Sequence, residues 1–193
     1  MLYLPPTDYR YRFIALDPGT ETLGVAVFEI DMVNRQAHVI SAYTLHASRS
    51  HHHHESDALL YGDRYARLEA HCIALQRIFT QYQPAAIVSE APFMGRFPQA
   101  YAALVECVSM IQRAIREYSY TMVLEMVDPM TAKQAVGVSK RGSNKLLVRD
   151  GVLALPDLVF NGFDPRTLDE HAIDAIAVGY SRFIRITKKY VGV

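Results

Sequence analysis

Two short apolar runs in this chain each end abruptly on a carboxylate. Residues 13–16, Phe-Ile-Ala-Leu, stop at Asp17-Pro18-Gly19, and residues 85–89, Ala-Ala-Ile-Val-Ser, stop at Glu90. Runs this short, flanked by turn chemistry, read as strands covered on both faces rather than as helices. Such strands need a helix layer on each side of the sheet, which restricts the chain to the α/β class.

The remaining pattern agrees. Residues 23–30 and 37–45 read as a second and third strand, with turn-sized gaps that predict an antiparallel meander. Tyr65, Leu68, Cys72, Leu75 and Phe79 follow a helical period, and Pro84 marks the exit. A long helix is predicted from about residue 99 to 118. It carries two adjacent apolar stripes, one through Tyr101, Leu104, Val108, Ile111, Ile115 and Tyr118, the other through Ala103, Cys107, Met110 and Ala114. Two stripes imply burial on two sides, by a second subunit or within a deep core. Residues 120–127 read as a strand, and Asp128-Pro129 as a helix cap followed by a first-turn proline. Ser143 is placed to cap a further helix. The last helix is predicted over about residues 169–186. The expected fold is a five-stranded mixed sheet with helices on both faces. It forms one domain over residues 1–193, with a core at about 12–186.

At 193 residues, 50% hydrophobic and 21% charged, the chain buries a sizeable core and is not a disordered one. No apolar run approaches membrane-spanning length, and the start of the chain lacks a signal peptide, so a cytoplasmic protein is expected. Cys72 and Cys107 fall on predicted helices and suggest no disulfide framework. Net charge is zero, which argues against a wholly basic nucleic-acid binder but leaves local patches open. One such patch runs through Lys133, Lys140, Arg141, Lys145 and Arg149 with no acid among them. It reads as a solvated face or as a phosphate-binding surface. His51, His52, His53 and His54 sit in the most irregular stretch, residues 46–57, which reads as a polar loop with metal binding as the alternative.

The candidate chemistry lies at the ends of elements. If the strands ending at Asp17 and Glu90 are neighbours, their carboxylates converge. His171 and Asp174, three residues apart, share one face of the last helix. Clustered carboxylates repel one another, and Mg²⁺ or Mn²⁺ relieves the repulsion. Two such ions activate water and stabilise the leaving oxygen of a phosphodiester. Gly19 and Gly24 are expected to admit a phosphate backbone. Taken singly, each feature has an ordinary reading: a turn, a solvated strand end, a helix-dipole acid, a surface histidine. Their joint order carries the argument.

Four segments then resemble one family. FIALDPGTETLGVAVFE resembles the first motif of RuvC-type Holliday-junction resolvases, within the RNase H-like (retroviral-integrase) superfamily. RIFTQYQPAAIVSEAPFMGRFPQAYAAL resembles that family's second acidic strand and following helix. VDPMTAKQAVGVSKRGSNKLLVRDGVLALP resembles its basic segment, and DEHAIDAIAVGY its closing acidic helix. The resemblance implies an RNase H-like, Mg²⁺-dependent endonuclease acting on four-way DNA junctions as a homodimer. Two ions per site are expected, with Mn²⁺ as a substitute. It implies Asp17, Glu90, His171 and Asp174 as metal ligands and catalytic groups. His171 stands where many members have Asp, which leaves a ligand or general-base role open. Phe93 falls where a family aromatic stacks on a base. Lys133 and Lys145 match basic DNA-facing positions, with Lys140 and Arg141 between them. A branch-migration motor is left open as a partner. Rival readings are an RNase H-like nuclease for RNA or RNA–DNA hybrids, and a non-catalytic branched-DNA-binding protein. An actin-like ATPase ranks last, since it needs a second phosphate loop and a longer chain.

Overall fold

A computed structural model describes residues 11–138 and 145–191. The element order is β1 (Tyr11–Asp17), β2 (Thr22–Asp31), β3 (Gln36–His46), α1 (Glu55–Tyr61), α2 (Asp63–Tyr82), β4 (Ala86–Glu90), α3 (Pro98–Tyr118), β5 (Leu124–Val127), α4 (Pro129–Ala135), α5 (Lys145–Leu153), β6 (Leu158–Phe160) and α6 (Glu170–Val191). The sheet runs β5-β4-β1-β2-β3-β6. β1, β2 and β3 form the expected antiparallel meander, while β4, β5 and β6 join it in parallel. This is an RNase H-like α/β fold.

The sheet has six strands, not five. β6 is three residues long and pairs with Ala37, His38 and Val39 of β3. So short a segment shows no period of its own, and its partner strand defines it. The stretch read as irregular also holds more structure than expected. A 3₁₀ turn at Ala47–Arg49 and the two-turn α1 flank the histidine run.

Alternation along the strands decides which side chains face which layer. Phe13 and Ala15 of β1, Ala26 and Phe28 of β2, and Ala86 and Val88 of β4 pack in the core beneath α4, α5 and α6. Ile14, Leu16, Val25, Val27 and Ile87 face the opposite core, closed by α2 and α3. Both faces are therefore covered, as the apolar runs require. Asp17 and Glu90 continue the first alternation, so both point to the α6 side.

On α3 the two stripes merge into one wide buried face at Cys107, Val108, Met110, Ile111, Ala114 and Ile115. Tyr101 and Leu104 are only half-buried, and Ala102 and Val105 are exposed. Burial on two sides is not found along this helix within the chain. Farther along, α6 is moored by Arg182. Its guanidinium donates to Glu125 at 2.6 and 3.1 Å and to the Tyr11 hydroxyl at 2.9 Å, and lies 4.7 Å from the Phe13 ring centre. Cys72 and Cys107 are buried free thiols. Among the described residues no helix is long and apolar enough to cross a membrane.

Candidate active site

Parallel pairing of β1 with β4 sets Leu16 opposite Ser89, so Asp17 and Glu90 end adjacent strands at the same edge. α6 begins above them. Asp169 precedes the helix and accepts a hydrogen bond from the Ala172 backbone N–H at 3.0 Å, with Thr44 donating to the same carboxylate. This cap fixes the start of the helix, whose first two turns carry His171 and Asp174.

His171 engages the strands at both ring nitrogens. Nδ1 lies 3.0 Å from Oδ2 of Asp17, and Nε2 lies 2.9 Å from Oγ1 of Thr22. The hydrogen bond to Asp17 is the main cause that raises the imidazole pKa above its ordinary 6.5; burial opposes it. Glu90 is affected more strongly. Burial first, then the charges of Asp17 and Asp174, push its carboxyl up to about 8, while Lys133 pulls in the other direction. The structure thus brings together Asp17, Glu90, His171 and Asp174, with Lys133 of α4 beside them.

Three carboxylates and one imidazole form an oxygen-rich donor set that suits a hard divalent cation. Burial raises the Glu90 pKa first, and the neighbouring carboxylates of Asp17 and Asp174 add to it. Among the described residues no three His, Cys, Asp or Glu side chains are already gathered tightly enough to hold an ion. Nδ1 of His171 is engaged by Asp17.

The two glycines have another purpose than the one expected. A Cβ on Gly24 would lie 2.1 Å from the His171 carbonyl oxygen, and one on Gly19 would lie 2.2 Å from the carbonyl oxygen of Thr22. Both make room for protein backbone rather than for a phosphate chain. The β1–β2 turn is also pinned from beneath. Cys107 of α3 donates its thiol to the Gly19 carbonyl at 3.5 Å, and buried His71 of α2 bonds the backbone at Thr20 and Glu21.

Of the DNA-facing candidates, Phe93 is 52% exposed on the loop that leaves Glu90, with Met94 and Phe97 exposed beside it. Lys133 is half-buried near the carboxylates. Lys140 and Arg141 lie outside the described residues; Lys145 opens α5, and its side chain lies outside them too. The histidine run occupies a turn before α1. His53 Nε2 lies 3.6 Å from Oδ1 of Asp63, and the His51 and His52 rings lie 4.0 Å apart. Sequence reasoning missed Thr22 altogether. A threonine at a strand start carries no signal, and only folding brings it to a histidine 149 residues away.

No protein-family model matches the chain. It is 28% identical over 190 residues to the crossover junction endodeoxyribonuclease RuvC of Xanthomonas oryzae, spanning 94% of this chain and 93% of that protein. The RuvC of Stenotrophomonas maltophilia is 25% identical over the same shares. Among solved structures, RuvC of Thermus thermophilus in complex with a Holliday junction substrate superposes with a TM-score of 0.62. It is 18% identical and covers 94% of this chain and 96% of its own. The chain thus resembles RuvC-type resolvases over nearly its whole length, and shares their fold.

Proposed function

We propose that this relative of the RuvC resolvases is a divalent-cation-dependent endonuclease that nicks four-way DNA junctions in symmetric pairs. One observation carries the reading. Asp17 and Glu90 end neighbouring strands beneath α6, whose first two turns bring His171 and Asp174 to the same edge. The names of the relatives, crossover junction endodeoxyribonucleases matched end to end, support the substrate.

In this reading Asp17, Glu90, Asp174 and His171 hold two Mg²⁺ ions, and Mn²⁺ substitutes. Cations held there acidify water and offset the charge that develops on the phosphodiester. The residues supply position and field. Asp17 and Glu90 end buried neighbouring strands, which set where their carboxylates start from. Lys133 moderates the carboxylate field and meets the phosphate backbone. Phe93 stacks on a base at the opened branch point. Lys140, Arg141 and Lys145 extend the phosphate track along the basic segment. A homodimer sets two such sites on symmetric strands. The DNA it acts on is cytoplasmic in this reading.

The test is nicking of an end-labelled four-way junction with Mg²⁺ and with chelator, beside linear duplex of the same sequence. Paired symmetric cuts in the junction alone, lost with chelator, are expected. Equal cutting of duplex, or no cutting with either cation, overturns the reading.

A further inference from the structure

We propose that Thr22 is a positioning residue for His171, a hydroxyl that sets which imidazole nitrogen carries the proton and follows it when the ring turns to a cation. The inference rests on the reading above, in which Asp17 and His171 hold an ion together. Thr22 opens β2 on the α6 side, and its Oγ1 stands 2.9 Å from Nε2 of His171. The other nitrogen, Nδ1, stands 3.0 Å from Asp17.

Both ring nitrogens are therefore engaged; the Glu170 carboxylate also stands 3.8 Å from Nε2, beyond hydrogen-bond distance, whereas Thr22 is within it. An ionised carboxylate only accepts, so a neutral His171 donates Nδ1–H to Asp17. Nε2 is then left with a lone pair, and the Thr22 hydroxyl donates to it. A ligating nitrogen must be free of its proton. For Nδ1, the nitrogen facing Asp17, to serve an ion held with that carboxylate, the proton has to sit on Nε2 instead. One proton leaves Nδ1 for solvent, one arrives at Nε2 from solvent, and the charge of the ring does not change. Thr22 then accepts from Nε2–H. A hydroxyl makes this reversal by rotating about one bond, whereas a carboxylate accepts only and a lysine donates only. Ligating histidines depend on such a partner at the second nitrogen for their tautomer and orientation.

The test reads the tautomer directly. Long-range ¹H–¹⁵N correlation spectra of ¹⁵N-histidine-labelled protein are recorded in mildly alkaline buffer, with chelator and with Mg²⁺; His171→Gln identifies the signal. The wild-type ring is expected as Nδ1–H in chelator and as Nε2–H with Mg²⁺. Thr22→Val keeps the shape and suits a strand, and should weaken Mg²⁺ binding measured by calorimetry by about ten- to a hundredfold. It should also leave the ring without a single tautomer. Thr22→Ser should restore both. A Thr22→Val protein with wild-type Mg²⁺ affinity and tautomer overturns the proposal. So does a wild-type ring whose tautomer ignores Mg²⁺, whether or not the protein cuts DNA. Tautomer exchange in a protein that does not cut junctions supports Thr22 and overturns only the substrate assignment.

Discussion

Nδ1 of His171 and Oδ2 of Asp17 lie 3.0 Å apart across 154 residues of sequence. The pair closes the site between the first strand and the last helix. It also joins two groups with opposite needs, since the carboxylate favours the charged imidazole.

Asp17→Asn is expected to lower junction cleavage at least about a hundredfold while leaving junction binding unchanged. Its effect on stability depends on pH. A histidine whose folded pKa is raised adds stability below its unfolded value of 6.5 and loses it as pH climbs through the folded value. The variant lacks that contribution, so in chelator it should be less stable than wild type at acidic pH. It also relieves the charge on Glu90, which favours it at alkaline pH. The stability gap should therefore narrow or reverse as pH rises. Thermal melts across pH check the trend, and a gap independent of pH would count against the pair.

Glu90→Gln has a sharper signature. The Glu90 carboxyl titrates near 8 when folded, against 4.5 as the ordinary value. Between those limits the unfolded chain releases a proton that the folded chain keeps, so metal-free wild type loses stability as pH rises through this window. Each pH step crossed within it removes about 1.4 kcal/mol, so the loss amounts to a few kcal/mol at most. Glutamine carries no such penalty. In chelator at alkaline pH the variant should melt higher than wild type, and below the window the two should coincide. Added Mg²⁺ should raise the wild-type melting temperature and leave the variant nearly unmoved. Cleavage should be lost.

Much of this site was legible because the acids follow apolar runs. A buried strand fixes both the position and the facing of the residue that ends it, so Asp17 and Glu90 stood out without coordinates. The spacing of His171 and Asp174 was legible for a similar reason, since helical period alone puts them on one face. Features defined by contact were not legible. β6 exists as a strand only because β3 pairs with it. Thr22 matters only because α6 lies across it. On α3, two stripes in sequence became one broad face, since the fully buried positions begin only at Cys107 and the turns before it are half-buried or exposed.

In the proposed function Lys133 and Phe93 make two different kinds of DNA contact, and substitutions tell them apart. Lys133→Ala removes a single charge near the carboxylates, and should reduce the slope of log affinity against log salt by about one, for junction and duplex alike. Phe93 is half-exposed on the loop after Glu90, and a stacking contact there forms only where bases are unpaired. Phe93→Ala should cost about 1–3 kcal/mol in junction binding and nothing in duplex binding. Binding titrations at several salt concentrations read both. An equal loss on duplex would make Phe93 a surface residue of another kind.

Gly24 tests whether close backbone packing, rather than phosphate access, holds the site together. It sits opposite Asp17 in the β1–β2 register, and a methyl group there would lie 2.1 Å from the His171 carbonyl oxygen and 3.1 Å from Cβ of Asp17. Neither neighbour yields easily. One is helix backbone, and the other belongs to a buried strand. Gly24→Ala must therefore lift the first turn of α6 away from the sheet, at a cost of about 1–3 kcal/mol. That turn carries His171, and Asp174 follows it directly, so the displacement opens the Asp17–His171 hydrogen bond as well. The variant should remain folded at low temperature, with its Mg²⁺ affinity and cleavage rate reduced well beyond what its melting temperature explains. If the glycine served phosphate approach instead, Gly24→Ala would weaken DNA binding, and metal-free stability and Mg²⁺ affinity would match wild type.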